Sequence, residues 1–269
     1  MNKYFSFSNA SISYTDTGIG NIVLLIHGFG EDASVWNFQK EFLNQTYRVI
    51  IPNLPGSGNS ETLLNENISI DDYATCIYSL VEHLKLETTT KIAMFGHSMG
   101  GYITLAFAKL FPKKLSAFGL IHSTAFADSE EKKQVRLRGI ETIKEYGSYS
   151  FLKNTIPNLF ANQFKQKHFS VVEKLINKSK IFTNATLQQY YIAMMNRKDT
   201  TSVLKNATVP VLFIMGTEDI AAPLNDVLQQ CHLPQQSHIC VLENVGHMGM
   251  LETPNKVNNA IEKILQLLY

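Results

Sequence analysis

Six short apolar runs, each bounded by turn residues and separated by stretches of helical period, constrain this chain more than any other feature. They are Asn21–Ile26, Tyr47–Ile51, Lys91–Phe95, Ala117–Ile121, Val209–Met215 and Ser237–Leu242. Apolar residues at consecutive positions predict strands buried on both faces, as in a parallel sheet; a half-exposed strand would alternate. Between the runs, Tyr73, Ile77, Leu80, Val81 and Leu84, then Ile103, Ala106, Phe107 and Leu110, and finally Val257, Ile261, Ile264, Leu265 and Leu268 have the spacing of amphipathic helices. Strands alternating with helices define the α/β class. The opening segments Tyr4–Phe7 and Ile12–Thr15 alternate in part and predict an antiparallel hairpin at the sheet edge.

The alternation stops between about Thr124 and Lys205, where helical patterns follow one another. Leu187, Tyr190, Tyr191, Met194 and Met195 form the best of these, with Thr183 and Asn184 placed to cap it, and Phe169, Val172, Leu175 and Ile176 form another. A length of 269 residues is less than two full domains. We therefore expect one core domain from residues 1–123 and 206–269, with residues 124–205 inserted as a helical cap, or lid.

Composition excludes several classes. Apolar residues at 45% and charged residues at 17% rule out a disordered chain, and 24 Lys and Arg against 23 Asp and Glu leave a net charge of +1. No global field exists to hold a polyanion, so no nucleic-acid partner is expected. The absence of an 18-residue apolar run or an apolar leader predicts neither a membrane span nor export. Cys76, Cys231 and Cys240 have no metal-binding or disulfide-framework spacing, which suits a reducing, cytoplasmic setting; Cys76, at helical spacing among apolar residues, reads as buried and inert.

The most specific chemical signal is Gly96-His97-Ser98-Met99-Gly100-Gly101, a G-x-S-x-G between a predicted strand and a predicted helix. A serine in so sharp a turn is pushed out of the sheet, and the flanking glycines remove side chains that would collide there. The hydroxyl still needs a general base, itself oriented by an acid. His247 follows the last strand and Asp219 follows Val211–Met215, so the chain order is Ser, Asp, His. Glu218 and Asp128 are rivals for the acid; the offset and short side chain of Asp219 suit an imidazole partner best. The amides of Met99 and of Phe29, in His27-Gly28-Phe29-Gly30, are candidate oxyanion donors. Gly28 to Ala33 also reads formally as a dinucleotide fingerprint, but no carboxylate follows Tyr47–Ile51 to hold a ribose. His27, His97, His122 and His247 all fall near strand ends, yet without the spacing of a metal site, so no metal and no organic cofactor is expected.

These motifs, together with Trp36, Pro55-Gly56-Ser57-Gly58-Asn59-Ser60, Gly216-Thr217-Glu218-Asp219 and Gly246-His247, resemble the α/β-hydrolase superfamily. The resemblance implies an eight-stranded, mostly parallel sheet flanked by helices, with a helical cap over a serine triad. Serine at position 98 is similar to the esterase, lipase and thioesterase branches and departs from the dehalogenases and epoxide hydrolases, whose nucleophile is Asp. Asn53 and Ser57 depart from the Asp-x-Pro-Gly-His-Gly loop common in the family.

The expected activity is therefore cleavage of a small or medium carboxylic ester through an acyl-enzyme, with a small molecule as the partner. Thioester, lactone or carbon–carbon bond hydrolysis would use the same triad, and a ligand receptor would use the fold without it. Residues 126–198 hold 13 Lys and Arg against 6 Asp and Glu. Either Arg136, Arg138, Lys165 or Lys167 steers an anionic substrate, or these are solvated helix faces. Tyr190, Tyr191, Met194, Met195 and Phe160 are candidate pocket residues, although packing explains such positions equally well.

Overall fold

The computed structural model describes residues 2–65, 67–86 and 90–269. Eight strands form one sheet: β1 (Lys3–Phe7), β2 (Ala10–Thr17), β3 (Ile22–Ile26), β4 (Arg48–Pro52), β5 (Ile92–His97), β6 (Leu115–Ile121), β7 (Val211–Gly216) and β8 (Ser237–Leu242). Their spatial order is β1-β2-β4-β3-β5-β6-β7-β8. The pairs β1–β2 and β2–β4 are antiparallel and the rest are parallel. Ser8 and Asn9 join β1 to β2 with φ of 48° and 64°, the two-residue turn whose twist matches that of the strands.

The expected strands are all present, and β3, β5 and β7 are buried at every position. The last one differs: β8 was expected to be covered on both faces, but Ile239 and Val241 are 52% and 44% exposed. It ends the sheet, and one helix, Pro254–Gln266, packs beside it. An apolar run reads the same in an end strand as in a central one.

The helix Ile70–His83 starts at a capping box, in which the Asp72 amide donates to Ser69 Oγ and the Ser69 amide to the Asp72 carboxylate. It packs on the helix Met99–Leu110, and Asn37–Leu43 packs on Pro254–Gln266. Full burial of Phe95, Ile103, Phe107 and Phe118 among these layers stabilises the fold by about 1.5–3 kcal/mol per side chain.

Between β6 and β7 lie the helices Glu130–Tyr146, Ser148–Thr155, Asn162–Lys167, Phe169–Lys178, Asn184–Met195 and Thr201–Lys205, with no strand among them. Thr183 caps the fifth, as its sequence suggests, by accepting from the Thr186 amide. The Tyr190 hydroxyl donates to the Pro55 carbonyl at 2.7 Å, and Gln189 Nε2 donates to the Leu63 carbonyl at 2.9 Å. These bonds seat the insertion on the loop after β4. Thr201–Lys205 instead packs against Met99–Leu110.

Candidate active site

Parallel strands carry their following loops to one edge of the sheet, and the candidate residues Ser98, Asp219 and His247 lie in those loops. Ser98 follows β5 with φ of 51° and ψ of −116°, a left-handed conformation forced by the turn into Met99–Leu110. Two glycines make the turn possible. A Cβ on Gly96 would lie 2.1 Å from the Gly100 carbonyl oxygen, and one on Gly100 would lie 2.3 Å from that of Ile26. The Ser98 amide donates to the Ile121 carbonyl at 3.0 Å, which ties the turn to the end of β6.

His247 Nδ1 donates to Asp219 at 3.0 Å from Oδ1 and 2.9 Å from Oδ2. Asp219 Oδ1 also accepts the amides of Ala221 and Ala222, each at 2.9 Å. Burial alone would raise the Asp219 pKa, but His247 and His122 outweigh it and hold the carboxyl well below the usual range. For His247, burial disfavours the charged ring, Asp219 outweighs it, and the pKa is raised. The rivals for the acid are engaged elsewhere. Asp128 pairs with both Arg136 and Arg197, and Glu218 accepts the Asn162 amide at 3.3 Å. No hydrogen bond joins Ser98 Oγ to His247 in this structure; such contacts are commonly long before substrate enters.

The His27–Gly30 loop lies directly on the serine, since a Cβ on Gly28 would sit 3.1 Å from Ser98 Cβ. Among the described residues, neither the Phe29 nor the Met99 amide donates to a protein acceptor. Asn53 and Ser57 have local work: Asn53 Oδ1 accepts the Ala33 amide, and Ser57 Oγ lies 2.8 Å from His27 Nε2.

The expected pocket residues divide. Tyr191 stacks on Phe29 with centroids 4.3 Å apart and planes 4° apart, and Phe151 meets both rings edge-on. Burial pushes the Tyr191 hydroxyl up to about 12. Phe160 is buried beside Leu159, whose carbonyl accepts the His247 amide at 2.7 Å. Tyr190 is fully buried between Tyr73 and the Pro55 carbonyl, and Met194 is buried. Met195 lies apart, in a surface cavity with Glu130, Lys133 and Gln134. Of the candidate steering residues, Arg136 is paired with Asp128 and lies over the Tyr191 ring, while Arg138 and Lys167 are exposed and Lys165 is half-buried.

Two polar residues here, Glu31 and Glu252, escape sequence reasoning, and a third, His122, is expected near a strand end but with no partner assigned. Glu31, buried, accepts the Gly28 amide at 2.7 Å and lies 3.0 Å from His97 Nδ1. Glu252 accepts the amides of Ala161, Gly246 and Met248. His122 Nδ1 lies 2.9 Å from Asp219 Oδ2. His122, Asp219 and His247 bring potential ligand atoms within 4.8 Å of one another, but each close N···O pair has hydrogen-bond length and the carboxylate already accepts two amides. That is a saturated carboxylate and does not offer a cation an open position.

Residues 21–254 match the family model described as the alpha/beta hydrolase fold, and the chain belongs to that family. A solved esterase from Thermogutta terrifontis is 29% identical with a TM-score of 0.92, covering 100% of this chain and 99% of that one. Lipase 3 of Moraxella sp. is 27% identical over 256 residues, which is 91% of this chain and 77% of that protein. The dihydrolipoyllysine-residue acetyltransferase component of an acetoin cleaving system from Pseudomonas putida is 26% identical over 92% of this chain, but the match spans only 64% of that relative's length. Family, fold and relatives place the chain in the hydrolase class. No helix among the described residues is long and apolar enough to cross a membrane.

Proposed function

We propose that the chain is a serine hydrolase that cleaves a small or medium carboxylic ester, with Ser98 as nucleophile, His247 as general base and then acid, and Asp219 as the group that orients the imidazole. The observation that carries this reading is the His247–Asp219 pair at 2.9 Å, on the same sheet edge as a serine held at φ of 51°. His247 spends Nδ1 on Asp219 and keeps Nε2 for the serine proton. Ser98 Oγ attacks the ester carbonyl, His247 takes the proton, and the Phe29 and Met99 amides hold the oxyanion. His247 then protonates the leaving alcohol. Water, deprotonated by the same ring, releases the carboxylic acid and restores Ser98.

Residues 124–205 act as the cap in this reading, and Tyr191 with Phe29 and Phe151 supplies the apolar wall nearest the oxyanion loop. The similarity to an esterase and to a lipase supports an ester as the bond cleaved. The three free cysteines fit a cytoplasmic setting.

The test is intact mass after a fluorophosphonate probe on wild type, Ser98→Ala and His247→Ala, with p-nitrophenyl esters of short and long acyl chains as substrates. One adduct lost in Ser98→Ala and strongly slowed in His247→Ala, with ester turnover, is expected. An adduct without turnover would move the reading to a thioester, lactone or carbon–carbon bond. Folded wild-type protein that takes no label would leave a non-catalytic receptor.

A further inference from the structure

We infer that His122 is a positioning residue for Asp219: its Nδ1–H fixes one lobe of the carboxylate so that Asp219 stays ionised and aimed at His247. The inference rests on the proposed triad.

His122 leaves the end of β6 with φ of 50°, and its amide donates to the Ile214 carbonyl on β7 at 2.7 Å. This unusual backbone carries the ring toward the loop after β7, where Asp219 lies. An ionised carboxylate only accepts, so the 2.9 Å contact to Oδ2 requires the proton on Nδ1. Among the described residues the other ring nitrogen, Nε2, is buried with no partner, and a Cβ on Gly249 would sit 2.3 Å from it. A charged ring there would leave a cationic N–H with nothing to accept it, which is the costliest arrangement available. His122 is therefore the neutral Nδ1–H tautomer, and burial lowers its pKa in agreement.

Two histidines thus share one carboxylate with different work. His247 must gain and lose a proton during turnover, whereas His122 supplies a permanent neutral donor. Oδ1 accepts two amides, and Oδ2 accepts from His122, so neither lobe can swing away as His247 changes charge. Without the His122 donor, Asp219 becomes more basic and holds the His247 proton more tightly. The acid limb of the serine's reactivity then moves to higher pH.

The experiment is the rate of fluorophosphonate labelling of Ser98 against pH for wild type, His122→Leu and His122→Asn. The Asn amide restores an N–H near the place of Nδ1. His122→Leu is expected to slow labelling, by up to about 10²-fold, and to raise the acid limb by about one pH unit; His122→Asn is expected to restore most of both. A folded His122→Leu protein with wild-type rate and limb overturns the proposal, as does an equal defect in both variants, which would make ring shape the cause. If His122→Leu does not fold, ¹⁵N spectra of the wild-type histidines decide. A neutral Nδ1–H ring from pH 6 to 9 supports the proposal, and an imidazolium or an Nε2–H ring overturns it. Wild type that fails to label at Ser98 at all would sink the triad reading instead.

Discussion

Glu31 and His97 form a buried bridge that joins the His27–Gly30 loop to the loop that carries His247. Glu31 accepts the Gly28 amide on one side and meets His97 Nδ1 on the other, and His97 Nε2 donates to the His247 carbonyl at 2.9 Å. Burial would raise the Glu31 pKa, but His97 outweighs it and the net direction is down, so the carboxylate is charged. Removing one member of such a pair leaves the other without compensation. Glu31→Ala leaves the Gly28 amide and His97 Nδ1 without their acceptor and should lower unfolding stability by about 1–3 kcal/mol per orphaned group in urea titration. It should also slow Ser98 labelling by about 10²-fold through a displaced Phe29 amide. A wild-type rate in that variant would show that the loop holds itself.

In the proposed mechanism His247 must be neutral to accept the serine proton, and its pKa is raised. The acid limb of kcat/KM against pH should therefore lie above about 6.5, the ordinary histidine value. A limb below pH 6 on a good ester would contradict the coupling of His247 to Asp219.

Stability should follow the carboxylates. Asp219 and Glu31 both have lowered pKa values when folded, so their contribution is present above about pH 4, the unfolded value, and is lost as pH falls further. His122, lowered, begins to cost stability as pH falls below about 6.5, while His247, raised, adds stability below that pH and loses it as pH rises. His122 acts below about pH 6.5 and His247 above it, so the expected urea midpoint passes through a maximum near that pH and drops steeply below about pH 4. A flat midpoint down to pH 3 would refute the ionised, buried carboxylates of Asp219 and Glu31.

Gly96→Ala should be severely destabilising, because its Cβ would meet backbone rather than a movable side chain at 2.1 Å. The expected loss is at least about 2–3 kcal/mol. A wild-type urea midpoint would mean that the turn can open without cost.

Tyr190 and Tyr191, adjacent in sequence, should respond differently. Tyr190→Phe orphans the Pro55 carbonyl and should cost about 1–3 kcal/mol with the acyl preference unchanged. Tyr191→Ala removes the ring stacked on Phe29 and should shift turnover toward longer acyl chains. A p-nitrophenyl ester series on both variants checks this; an unchanged chain-length profile in Tyr191→Ala would remove that ring from the pocket.

The strands were legible because burial on both faces demands apolar residues at successive positions, a pattern few other structures require. That rule breaks at β8, where the same residues are tolerated at a sheet end. The approach of His247 to Asp219, on the sheet edge that carries Ser98, was legible because each of these residues follows a strand, in the expected order. Glu31, Glu252 and the partner of His122 were not, because they come from contacts made across the fold: His122 meets Asp219 97 positions away, and Glu31 meets His97 66 positions away. The one available signal was a histidine immediately after a buried strand. Helical spacing marked Tyr190, Tyr191, Met194 and Met195 as one face; the first three are buried and Met195 is not, and no periodicity separates a ring that lines a cavity from one that fills it.

The bond from the His247 amide to the Leu159 carbonyl, with Glu252 gripping the Ala161 amide, has a consequence for redesign. The inserted segment helps to hold His247 in place, so it is not an interchangeable module. Grafting the insertion of a relative onto this sheet, in the hope of importing its selectivity, should retain residues 159–161 as a splice point. Chimeras that replace them are expected to lose turnover on every substrate alike.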